Sequence, residues 1–167
     1  MSKGKTFFNK WDSKNSLFVI WVGYNDNDNI LKKKETATEI NEIVERMFNV
    51  IEDIHKVGAR NILIMNVLPK YNCPASSKEI KDFLKQNILL FNKMLINNSE
   101  RIFKIYNNLN IFVYDIFKRF ENIINNYSKY GFKDCVNSIP KGKNLNNYLW
   151  IKWHITDLRN KIIAEDM

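Results

Sequence analysis

Three short apolar runs without helical period constrain this chain most: "LFVIWV" at 17–22, "NILIMNVLP" at 61–69 and "NIFVYDI" at 110–116. Long segments with a 3.6-residue period separate them. Between the first two, Ile40, Ile43, Val44, Met47, Phe48, Ile51 and Ile54 fall on one face of an α-helix. Thr36 and Glu39 fit a capping box that opens this helix, and Gly58 supplies its stop. Ser76 and Glu79 form a second such box. Behind it Ile80, Phe83, Leu84, Phe91, Met94, Leu95, Ile102, Ile105 and Tyr106 predict a long helix, with a bend expected near "NNSE". After the third run, "FKRFENIINNY" reads as a shorter helix. A polar, irregular stretch over 128–147 then leads to "YLWIKWHITDLRNKIIAEDM", whose end is helical.

Strand and helix in alternation predict an α/β fold with a parallel sheet. All three runs are apolar on both faces, as in a sheet covered by helices. With right-handed crossovers the two long helices lie on the same face, and the strands follow in the order 17–22, 61–67, 111–115. One feature does not close. "LFVIWV" is written like a central strand, yet it comes first of three and falls at an edge, so the chain reads as part of a larger sheet. An apolar edge of this kind predicts self-association.

At 167 residues the chain is one domain's worth, and 45% hydrophobic with 13% aromatic residues argues for a packed globule. No apolar run approaches the roughly 20 residues of a membrane helix. The opening "MSKGKTFFNKW" has no apolar core and does not read as a signal peptide, which leaves localisation open. The net charge of +8 invites a nucleic-acid reading. The lysines are spread along the chain, however, and "LKKKE" is the only run, so a solvated basic surface is the preferred explanation. Cys73 and Cys135 are too few for a disulfide framework, though one bridge could form, and His55 and His154 share no metal-ligand spacing. No metal or cofactor is expected.

The residues around the runs carry a resemblance. "SLFVIWVGYND" resembles the block of the GDSL, or SGNH, hydrolases in which an apolar strand ends in G-x-N-D. "VGARNILIMNVLPKYNCP" is similar to that family's next strand, "FNKMLINN" to its helix around a Y/F-N-x-x-L core, and "NIFVYDIFKRFENIINNYSKYGFKDC" to its later strand, helix and Y-G-F loop. "YLWIKWHITDLRNKIIAEDM" resembles its last block, F-W-D-x-x-H-P-T before the final helix. "FFNKWDSKNSLF" is most similar to the fungal acetylesterases of carbohydrate esterase family sixteen. The resemblance implies a flavodoxin-like α/β/α sandwich that hydrolyses acyl esters through a serine, here a single partial domain over 1–167 with three strands and flanking helices. It makes Asn25 the oxyanion-hole amide and His154 the general base, with Gly23 permitting the turn and Asp26 bracing the loop.

The sequence departs from that pattern where the nucleophile belongs. It contains no G-D-S, and Ser13 aligns with a variable position. Ile151 stands where the family has its triad Asp and Ile155 where it has Pro; Asp157 and Asp115 are the candidates to orient the imidazole instead. The expectation is therefore a truncated ester hydrolase acting on acyl or acetyl esters of carbohydrates or lipids. Its partners would be a small ester or acetylated glycan and either a missing N-terminal half or a second copy joined through strand 17–22. A catalytically inactive glycan- or lipid-binding relative and a basic nucleic-acid-binding α/β protein are the alternatives.

Overall fold

In the computed structural model, residues 11–26, 36–140, 142, 144, 147–151 and 154–166 are described. The "LKKKE" run and the Thr36 side chain of the first capping box lie outside them. The elements are β1 (Phe18–Trp21), α1 (Thr36–Lys56), β2 (Asn61–Met65), a 3-10 turn (Lys70–Asn72), α2 (Lys78–Ile105), β3 (Asn110–Tyr114), α3 (Ile116–Asn125), a second 3-10 turn (Tyr127–Tyr130), β4 (Asp134–Ser138), β5 (Tyr148–Ile151), β6 (His154–Ile155) and α4 (Asp157–Asp166).

The three apolar runs form one parallel sheet in the order β1-β2-β3, as the alternation predicts. Phe18 pairs with Ile62, and Ile62 with Ile111, so side chains of like parity line up across the sheet. Phe18, Ile20, Ile62 and Ile64 pack into one cluster with Ile40, Val44, Phe48 and Ile51 of α1 and Leu84, Ile88, Phe91 and Leu95 of α2. Both long helices thus cover the same face. The end of α1 is a Schellman motif: the Gly58 N–H donates to the His55 carbonyl at 2.9 Å and the Ala59 N–H to that of Ile54 at 3.0 Å. Gly58 has φ +110°, the left-handed conformation this cap requires.

α2 runs uninterrupted through "NNSE", where a bend was expected. Asn98 and Ser99 turn their side chains back onto the Met94 and Leu95 carbonyls and stay within the helix. Its N-cap is Ser77 rather than Ser76. The hydroxyl of Ser76 is buried and donates to the Lys70 carbonyl at 3.2 Å. Glu79 still belongs to this helix start, where a hydrogen bond from Ser77 holds its carboxyl below the usual range.

The sequence pattern does not foresee the second sheet. β4 runs parallel to β5 with a shift in register, and β5 turns back antiparallel onto β6. These strands, α3 and α4 build a second cluster around Trp150, Phe120, Ile123, Phe132, Leu149 and Ile163 on the carboxyl-end side of the first sheet's other face. The buried Trp150 indole donates to the Cys135 carbonyl at 3.0 Å and packs on Phe120 at 5.3 Å. Cys73 and Cys135 are buried in this cluster and are not joined in a disulfide. Coverage stops there: Val19 and Phe112, in one row across the same face, are each 54% exposed. Among the described residues β1 pairs with β2 alone, so its other edge is open.

Candidate functional site

β1 ends at Trp21, and the chain turns at Gly23, whose φ is +100°. A Cβ there would lie 2.6 Å from the Phe91 ring and 2.9 Å from a Val67 methyl, so glycine is required by space as well as by conformation. The turn then carries Tyr24, half-buried, Asn25, exposed, and Asp26, half-buried. Lys70, only 1% exposed, reaches from behind: its Nζ lies 4.0 Å over the Tyr24 ring and 3.4 Å from the Tyr24 carbonyl. This buried cation fixes the ring by cation–π attraction as well as by packing.

Two amides tie the end of β2 to its neighbours. Asn92 of α2 accepts from the Val67 N–H and donates to the Val67 carbonyl, both at 2.8 Å, like the edge of one more strand. Asn66 donates to Asp115 at 2.8 Å and accepts from the Phe117 N–H at 2.9 Å, which locks the start of α3. Asp115 also accepts from the Lys118 N–H as the N-cap of α3. These asparagines are the last residue of "NILIMN" and the second of "FNKML"; Asn92 serves the backbone alone, and Asn66 bridges the Asp115 carboxylate and the Phe117 N–H.

His154 lies in β6, directly opposite Ile151 of β5. His154, with Trp21, Tyr24, Leu68, Ile155 and Asn160, lines a cavity of about 290 Å³. Segments from opposite ends of the chain, the Gly23–Asp26 turn (through Tyr24) and β6, therefore meet at one cavity. It opens at the carboxyl end of the parallel strands, where open α/β sheets place their ligands. Gly23 and Asn25 flank Tyr24 in sequence and do not themselves line this cavity. No hydrogen bond or ion pair joins the His154 ring to another described residue. Asp115 is committed to Asn66 and Lys118 and lines other hollows, while Asp157 opens α4 and is exposed.

The remaining polar candidates lie elsewhere. The Ser13 carbonyl accepts from the Asn61 side chain, at the amino end of the sheet. His55 bonds Asn108 at 2.9 Å and packs on the Tyr106 ring, at that same end. Among the described residues no group of three His, Cys, Asp or Glu side chains could hold a metal, and no helix is long and apolar enough to cross a membrane. Lys70 was missed by sequence reasoning, because a lysine after a proline in a loop reads as solvated. Its one signal is the aromatic Tyr24 that buries it.

The parallel α/β sheet thus carries a glycine-based turn after its first strand and brings His154 to the cavity beside that turn. The chain matches the GDSL-like lipase/acylhydrolase family over residues 5–167 and belongs to it. It is also 26% identical over 162 residues to an acetylesterase of Thermothelomyces thermophilus. That match takes in 93% of this chain and 52% of the relative, so the chain spans about half the relative's length.

Proposed function

We propose that this chain is the carboxyl-terminal part of a GDSL-type ester hydrolase acting on acyl or acetyl esters of carbohydrates or lipids. In this reading it holds the oxyanion amide and the base but not the nucleophile. The observation that carries it is the shared cavity: Tyr24, next to Asn25, and His154 line the same space. Asn25 donates its side-chain N–H to the developing oxyanion, a contribution of about 2.7–4 kcal/mol. His154 takes the proton of an attacking hydroxyl and returns it to the leaving alcohol. Gly23 sets the turn, Asp26 braces it, and Lys70 holds Tyr24 beside them. The serine and the second oxyanion donor come from a strand–helix unit on another polypeptide, or another part of a longer one, that pairs with the open edge of β1.

Among the described residues no carboxylate partners the His154 ring, and this favours a second reading, a catalytically inactive relative that binds an acylated glycan or lipid. Ile151 faces His154 across β5 and β6, where an aspartate would lie within reach of the imidazole. Loss of that partner costs about ten-thousand-fold in a serine-protease triad. The family match favours both readings over a nucleic-acid-binding protein.

The test is hydrolysis of short-chain 4-nitrophenyl esters by the chain alone and after mixing with the N-terminal half of the acetylesterase relative. The expected result is no turnover alone and measurable turnover on mixing. Asn25→Ala is expected to lower the restored rate about a hundredfold or more. Robust activity of the isolated chain that survives His154→Ala would overturn the assignment of the site.

A further inference from the structure

The cavity beside His154 has a chemical character of its own. Trp21, Tyr24, Leu68 and Ile155 give it apolar walls, with His154 and Asn160 as its polar margin. At about 290 Å³ it stands at the lower end of small-molecule sites, which run from roughly 300 to 1,000 Å³. Its wall is built rather than incidental. Tyr24 is backed by the buried Lys70, Leu68 is 2% exposed, and Gly23 is wedged against Phe91 and Val67.

A base that takes the nucleophile's proton delivers it next to the leaving-group oxygen, so that oxygen must come to the imidazole. A group seated between His154, Ile155 and Asn160 is then the alcohol half of the ester. A sugar there would find partners for its hydroxyls, among the described residues, only at Tyr24, His154 and Asn160, and would set the rest against apolar walls. An unbranched alkyl chain or a single aryl ring meets the walls with no such loss.

We infer that the cavity formed by Trp21, Tyr24, Leu68 and Ile155 is a binding site for the apolar alcohol moiety of the ester, an alkyl or aryl group, with its oxygen at His154. The inference rests on the assignment of His154 as base. It narrows the substrate to esters of apolar alcohols rather than acetylated sugars.

The test uses the chain as it stands and needs no turnover. The 1-alkanols from 1-butanol to 1-octanol are titrated while the methyl resonances of Leu68 and Ile155 and the ring resonances of His154 are followed by NMR. Affinity is expected to rise about fourfold per added methylene, equivalent to about 0.8 kcal/mol, and then to level off once the cavity is full. Ile155→Trp, a substitution at the half-buried mouth, is expected to abolish the Leu68 shifts. Trp21→Ala, at a residue 42% exposed, is expected to move the plateau to longer chains.

A flat series, or shifts confined to Val19 and Phe112 on the open sheet face, would overturn the site. Stronger binding of methyl β-D-glucopyranoside at the same resonances would overturn the substrate class. Shifts at Leu68 and Ile155 without any at His154 would overturn the leaving-group assignment. Alkanol binding stands even if the complemented protein proves inactive. A failed alkanol series leaves the esterase assay as it was.

Discussion

The carboxyl end of the parallel sheet and the open part of its second face are written in the same apolar residues and are finished differently. At the carboxyl end side-chain tethers and close packing hold the backbone: Asn92 brackets Val67, Asn66 joins Asp115 to Phe117, and Gly23 lies against Phe91. Two residues back along the strands, Val19 and Phe112 stand in one row, each 54% exposed, beside a β1 edge that no other described strand pairs. The second cluster covers Met65 and Leu68 and does not extend over that row. Apolar writing thus states where burial is needed, and polar tethers mark where this chain itself completes the structure.

The largest effects are expected where the tethers are. Gly23→Ala forces a Cβ into Phe91 and Val67 and a non-glycine residue to φ +100°, and is expected to cost about 2–4 kcal/mol. Asn92→Leu leaves the buried N–H and C=O of Val67 without partners and is expected to cost a similar ~2–4 kcal/mol. Urea unfolding monitored by circular dichroism measures both. Losses below about 1 kcal/mol would erase the distinction between the two regions.

A pH dependence sharpens the same contrast, because two perturbed phenols lie at the finished end. Burial first, and then Asp166, whose carboxylate accepts from the Tyr114 hydroxyl at 2.6 Å, pushes the Tyr114 phenol up to about 12. Burial and Glu121 push Tyr71 up to about 12 as well. Between the ordinary value near 10 and about 12 the folded chain holds protons that the unfolded chain has released. Stability is therefore complete below pH 10 and falls as pH rises toward 12. The urea midpoint should drop across that interval, and the double substitution Tyr71→Phe and Tyr114→Phe should flatten the drop.

The smallest effect on stability is expected at the open face. Val19→Lys and Phe112→Lys replace side chains that are more than half exposed and should change unfolding free energy by no more than about 0.5 kcal/mol. They should nevertheless reduce self-association at micromolar concentration, read by light scattering, because they place charge on an apolar patch and beside its edge strand. A large loss of stability instead would mean that the face is covered in the isolated chain.

The parts legible in the sequence were those whose signals are local. Each parallel strand is an apolar run closed by turn residues, and α1 ends at the glycine that its Schellman motif demands. β4 was illegible because "DCVNS" has neither alternation nor a continuous apolar run. Asp134 accepts there from the Val136 and Asn137 N–H groups as in a turn, and only pairing with β5 beneath the Trp150 indole makes it a strand. At the site, Gly23 could be read from its neighbours, and the resemblance pointed to His154. Lys70 and Ser76 could not be read, because their burial is decided by Tyr24 and by a carbonyl six residues back along the chain.

Amide hydrogen exchange of Phe18–Trp21, with and without the N-terminal half of the acetylesterase relative, tests the central claim most directly. In the chain alone, the β1 amides that point away from β2 should exchange rapidly while those bonded to β2 are protected. Adding the complementary half should protect the outward set together with the appearance of ester hydrolysis. Protection of every β1 amide in the isolated monomer, or hydrolysis restored while the outward amides still exchange rapidly, would contradict the account.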